Sequence, residues 1–129
     1  MENKLHGSLF ALVCATVSLI PATGFAGTWS GVLVDGPCFR SAEQNHNVSD
    51  SPAVRDINLE IQLCRPKART RSFALVLPDD TELAFAPDGN ARAAELVRGS
   101  VVRLPIYVVV NGELIRKNTI AITSITASH

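Results

Sequence analysis

Four side chains with metal-ligand or nucleophile chemistry, Cys38, His46, Cys64 and His129, lie along this 129-residue chain at intervals of 7, 17 and 64 residues. Structural zinc sites draw their ligands in close pairs, because a tight loop can hold two ligands on one tetrahedral ion. These intervals contain no such pair, so no metal is expected. Cys38 with His46 could act as nucleophile and base, but only as a free thiol with a third, orienting group. Ser30, Ser41 and Ser49 lack the Gly-x-Ser-x-Gly context of a nucleophile elbow. Asp35, Asp50, Asp56 and Glu60 could pair for glycoside hydrolysis, yet chain spacing does not set the carboxylate separation which that chemistry needs. No catalytic residue is assigned. The expected protein is not an enzyme and takes no cofactor.

The densest charge is the run RPKARTR, which carries Arg65, Lys67, Arg69 and Arg71. Such a tract could hold an anionic glycan, a lipid head group or a nucleic acid, or could serve as a solvated loop face. Nucleic acid is disfavoured by the net charge of zero, because that affinity comes from excess positive charge. Single-strand binding also needs exposed aromatics for stacking. Beyond the leader described next, the chain offers Trp29, Phe39, Phe73, Phe85 and Tyr107, and at least two of these look inward. Trp29 reads as a core plug, with ligand contact as the alternative.

Compartment decides what the cysteines do. Residues 1–26 have the form of an export signal: Lys4 in a polar start, an apolar run from Leu9 to Ile20, and small residues Gly24 and Ala26 before a cut. Cleavage is expected after Ala26, with Gly24 as the near alternative. The apolar run of 12 residues is short of the roughly 20 that span a bilayer, and no later run is long enough, so no membrane span is expected. Val13 before Cys14 is not the small residue that a lipoprotein signal would have. Cys14 leaves with the leader, and the two remaining thiols, Cys38 and Cys64, are expected to form one disulfide in an oxidising compartment. Loss of Glu2 and Lys4 leaves the charges balanced.

The elements that must position these residues read as β-rich. Residues 28–35, TWSGVLVD, form a first strand stopped by Gly36-Pro37. Residues 36–51 are polar and read as a surface loop. Residues 51–64 are ambiguous. Ile57, Leu59, Ile61 and Leu63 alternate as in a strand, whereas Val54, Ile57, Ile61 and Cys64 share a helical face behind a Ser51-Pro52 cap. A short helix is the preferred reading. An unbroken strand through the basic tract would bury Arg71 beside Phe73, Leu75 and Leu77, so the strand must begin or bulge near Ser72. Pro78-Asp79-Asp80 turns into a hairpin partner at 81–85. Asp88-Gly89-Asn90 caps a helix over 91–98, ended by Gly99 and apolar at Ala93, Leu96 and Val97. Residues 101–110 form a long strand, edge-like or bulged at Pro105. Asn111-Gly112 is the hairpin signal that returns the chain through 113–125.

Strand, long loop, strand, strand, short helix, strand, strand is the connectivity of the OB-fold, a five-stranded, partly open barrel. GTWSGVLVDGPC also resembles the opening of a group of short secreted bacterial OB-fold-like proteins of unknown function. Their pattern is Gly, then an aromatic or β-branched residue, then Val/Ile/Leu-x-Asp-x-x-Cys, matched here by Asp35 and Cys38. Cys64, Ala74-Leu75-Val76, Asp79-Asp80 and 96–102 match their later features. This chain differs in its longer first loop and in Pro105. The resemblance implies a fold and a compartment, and no activity. Gly27-Thr28-Trp29 also echoes the start of lipocalin and avidin-like barrels, which need eight strands where this chain has room for five or six.

The sequence therefore predicts a mainly β, OB-fold-like five-stranded barrel over 27–129, with a long first loop at 36–70, after a signal peptide at 1–26. The expected function is that of a small exported, non-enzymatic binding module, periplasmic or secreted, with Arg65, Lys67, Arg69 and Arg71 as contact set. Its partner would be a small ligand, a glycan or an envelope protein, and the sequence sets no oligomeric state. The alternative is a structural or stress-linked envelope protein acting through protein–protein contacts. That reading requires an exposed apolar patch or unpaired edge, expected near Val108-Val109-Val110.

Overall fold

The computed structural model describes residues 25–45, 56–99 and 104–128. The elements in chain order are β1 (Phe25–Asp35), α1 (Gly36–Gln44), α2 (Ile57–Leu63), β2 (Phe73–Val76), β3 (Glu82–Phe85), α3 (Pro87–Gly99), β4 (Tyr107–Arg116) and β5 (Thr119–Ala127). The strands close a barrel in the order β1-β2-β3-β5-β4. The β3–β5 pair is parallel and the other four are antiparallel. With α3 between the third and fourth strands, this is the OB-fold-like barrel that the element order predicts.

β1 belongs to both halves of the barrel. Residues 25–32 pair with β4 and residues 32–35 pair with β2. The change of partner falls beside Gly31, where a Cβ would run into the Val76 carbonyl. A glycine there lets two backbones approach closely as the strand bends. Alternate residues of every strand then fill the interior: Leu33, Phe73, Leu75, Leu83, Phe85, Val108, Val110, Ile120 and Ile122 are buried together with Ala93 of α3. Trp29 is half-buried at the margin of this core, its ring against Gly27.

The long first connection is not a plain surface loop. Its polar first part forms α1, and its later part forms α2. Asp35 caps α1 by accepting from the Cys38 N–H at 3.1 Å, and Pro37 stands in the first turn, where a proline has no hydrogen bond to lose. Asp56 caps α2 by accepting from the Leu59 N–H at 3.1 Å. The proposed Ser51-Pro52 cap and Val54 lie outside the described residues. Cys64 is buried and Ile57 and Ile61 pack inward, while Leu59 and Leu63 are 50% and 63% exposed, so the helical face holds and the strand-like alternation does not. The two helices cover the outer face of β2. Val34, Phe39, Cys64, Ala74 and Val76 form a second small core there, and this is why all four β2 residues are buried.

The β2–β3 hairpin follows the sequence. Arg71 is exposed, β2 starts at Phe73, and the turn closes with Asp80 N–H on the Leu77 carbonyl at 2.9 Å. Asp80 takes a φ of 69° there, the left-handed conformation an aspartate tolerates in turns.

Three other expectations are corrected. First, α3 starts at Pro87, so Asp88-Gly89-Asn90 sits inside the first turn instead of before it. Proline at the first helical position needs no partner for its nitrogen. Gly89 lets the helix lie on β5, since a Cβ there would come within 2.9 Å of Ile122 Cδ1. Second, Asn111-Gly112 is mid-strand, and the chain turns at 117–118. The β4–β5 register shifts between Asn111 and Gly112, and a Cβ on Gly112 would collide with the Ala121 carbonyl. The glycine marks a bulge with close backbone approach. Third, Pro105 precedes β4 and takes no donor from it, while residues 101–103 of the expected strand lie outside the described residues.

Candidate anion-binding site

The end of β1 organises the basic tract. The Asp35 carboxylate accepts from the Cys38 N–H with Oδ1, and from the Thr70 hydroxyl with Oδ2 at 2.9 Å. The Thr70 Oγ1 accepts in turn from the Lys67 N–H at 2.9 Å, while the Thr70 N–H donates to the Lys67 carbonyl at 3.0 Å. These two bonds close a turn over 67–70. Both flanks of the tract are held as well: Asp35 N–H donates to the Cys64 carbonyl at 2.8 Å and Gly36 N–H to the Ser72 carbonyl at 3.0 Å. Cys38 and Cys64 are joined in a disulfide, with Cα atoms 5.5 Å apart. A backbone anchored at this many points does not need to be ordered when a ligand arrives, which lowers the entropic cost of binding.

Helix α3 supplies the opposite wall. Asn90 stitches its first turn to the barrel: Oδ1 accepts from the Phe73 N–H at 2.8 Å and Nδ2 donates to the Phe85 carbonyl at 3.4 Å. The tract thus faces the helix at the barrel end that α3 occupies. Between the two walls lies a groove of about 760 Å³. Lys67, Arg69 and Arg71 line it from the turn and Arg98 from α3. Among the described residues no carboxylate lines it, and the helix acids Asp88 and Glu95 fall outside the lining. Arg98 is steadied by its own Nε, which donates to the Ala94 carbonyl at 3.2 Å. Arg65, the fourth member of the expected contact set, is exposed but does not line the groove.

The lining offers charge and apolar surface. Among the described residues its ionisable side chains are Lys67, Arg69, Arg71 and Arg98. Arginine's planar fork matches carboxylate and phosphate oxygens two at a time. This arrangement suits the holding of an anion. Sequence reasoning missed Arg98. A cation in the last turn of a helix was legible, but its position across from the tract is set by how α3 packs.

Elsewhere the candidate chemistry resolves into structure. Cys38 is in the disulfide and has no free thiol, Asp35 and Asp56 are helix caps, and Glu60 is buried. His46, His129, Ser49 and Asp50 lie outside the described residues. Among the described residues, no cluster of three or more His, Cys, Asp or Glu could hold a metal, and no helix is long and apolar enough to cross a membrane. A second hollow of about 500 Å³ opens where Gly27 pairs with Gly112, bordered by Asp88 and Glu113. Trp29 lines neither hollow. The apolar edge expected at Val108-Val109-Val110 is absent: β4 is paired on both sides, and Val108 and Val110 are buried. Comparison with known protein families, with curated proteins and with solved structures finds no match to this chain.

Proposed function

We propose that this protein is a small exported binding module, without enzymatic activity, whose ligand is anionic and sits between the basic tract and α3. The observation that carries this reading is the convergence of Lys67, Arg69, Arg71 and Arg98 on one groove that, among the described residues, no carboxylate lines, in a chain of zero net charge. A neutral protein has no general need to gather cations in one concavity, because solubility is served by scattered charge. The disulfide supports a working place in the periplasm or outside the cell, since such bonds persist where thiols are oxidised. The signal peptide read at 1–26, which would deliver it there, lies almost wholly outside the described residues.

A second reading, an envelope protein acting through protein–protein contacts, is favoured by Leu59 and Leu63, one turn apart and exposed on α2. It has lost the strand edge on which it first rested.

Retention on phosphocellulose tests the leading reading. The exported protein binds at low salt and elutes as salt rises, and the quadruple variant Lys67→Ala, Arg69→Ala, Arg71→Ala, Arg98→Ala elutes earlier. Identical elution of the two proteins would end the assignment.

A further inference from the structure

Among the described residues, the groove's polar side chains apart from its cations number two. Both are already engaged. Thr70 donates to Asp35 and accepts from Lys67, and Asn90 bonds the backbone of Phe73 and Phe85. The remaining lining is apolar: Ala68, Phe73, Pro87, Ala91, Ala94 and Val97. Saccharide sites need hydrogen-bonding groups for ring hydroxyls, and leaving those hydroxyls unpaired against apolar surface is costly. Nucleotide bases need an open aromatic face, and Phe73, the one aromatic among the groove's described residues, is only 2% exposed. The groove therefore offers cations for an acidic head and apolar surface for a stem, while its neutral polar side chains are already committed and its described aromatic residue is covered.

We infer that the groove takes a single anionic amphiphile, its acidic head held by Lys67, Arg69, Arg71 and Arg98 and its apolar stem lying on Ala91, Ala94 and Val97. This rests on the proposed anion-binding reading and names the ligand class for it. The volume of about 760 Å³ lies within the range of roughly 300–1,000 Å³ typical of small-ligand sites. A concavity framed by two walls receives one molecule more readily than the flat face of a bilayer.

Calorimetric titration of the exported, disulfide-bonded protein separates the cases, using decyl phosphate below its micelle threshold, inorganic phosphate and decyl maltoside. Decyl phosphate should bind at least about tenfold tighter than inorganic phosphate, because burying even a few methylenes contributes that much. Decyl maltoside should not bind. Val97→Asn should weaken decyl phosphate by about tenfold and leave inorganic phosphate unchanged. If circular dichroism shows that variant unfolded, Ala91→Asn, at an exposed helical position, takes its place with the same expectation. Equal affinity for the two phosphates would overturn the amphiphile and leave the anion reading standing. Absence of binding to either would overturn both. Binding to anionic phosphatidylglycerol vesicles without binding of monomeric decyl phosphate would assign the groove to membrane surfaces, and tighter binding of oligogalacturonate would assign it to glycans. Either result overturns the inference.

Discussion

The Thr70 hydroxyl donates to the Asp35 carboxylate at 2.9 Å across 35 positions of sequence, joining the end of β1 to the turn that carries the cations. The same carboxylate caps α1, and α1 carries Cys38 to its disulfide with Cys64. The Asp-x-x-Cys spacing of Asp35 and Cys38 thus has a physical meaning. One aspartate sets the helix that positions the cysteine and also fixes the basic tract.

Thr70→Val keeps the side-chain shape and removes the hydroxyl, leaving both the Lys67 N–H and Asp35 Oδ2 short of a partner. Hydrogen bonds to charged groups contribute about 1.5–3 kcal/mol, so a loss of that order is expected in urea unfolding. Hydrogen exchange at the Lys67 amide should rise with it. Asp35→Ala should cost more, since it also removes the α1 cap. Unchanged Lys67 protection would show that the tract is held by something else.

Reduction of Cys38–Cys64, or the double replacement by alanine, opens a loop of 26 residues. In the chain-entropy account this costs about 3.5 kcal/mol, a large share of a small domain's stability. The check is the unfolding midpoint in urea with and without reductant. A change well under 1 kcal/mol would mean that the second core around Phe39 holds without the bridge.

Gly112→Ala should destabilise by about 1–3 kcal/mol or more, because the new methyl meets the Ala121 carbonyl in a closed barrel that cannot easily open. Gly99, the last residue of α3, has nothing within 4 Å of an added Cβ. Gly99→Ala should therefore be neutral or slightly stabilising. Thermal melts of the two variants should separate them clearly.

The Asp79 carboxyl is held below its ordinary pKa by the backbone N–H of Thr81, which it accepts at 3.1 Å, and by the Thr81 side chain. A folded pKa below the unfolded one adds stability above the unfolded pKa, and that contribution is lost as pH falls through the folded pKa. Asp79 is fully exposed, so the effect on stability is small. Carboxyl-carbon NMR titration should place its midpoint below that of the same residue in the unfolded chain. Thr81→Val should return part of the difference.

What the sequence disclosed and what it concealed divide along local and non-local lines. The β2–β3 hairpin was legible because alternation at Phe73, Leu75 and Leu77 and the turn at 78–80 are local signals. The cost of burying Arg71 was enough to place the start of β2. α1 was concealed because Ser41, Glu43 and Gln44 suit a solvated helix as well as a loop, and its cap, Asp35, also ends a strand. Asn111-Gly112 misled because the pair is read for positive φ. Among the described residues no glycine has positive φ, and Gly112 is there to let the Ala121 carbonyl approach. Three of the four groove cations were visible as a tract. Arg98 was not, because only the packing of α3 brings it opposite.

Amide chemical-shift mapping while inorganic phosphate is added to the isotope-labelled protein tests the anion groove most directly. Shifts concentrated at residues 67–71 and 91–98, on both walls together, are the predicted result. Shifts confined to the exposed cations Arg116 and Lys117 on the β4–β5 turn, or absent throughout, would contradict it.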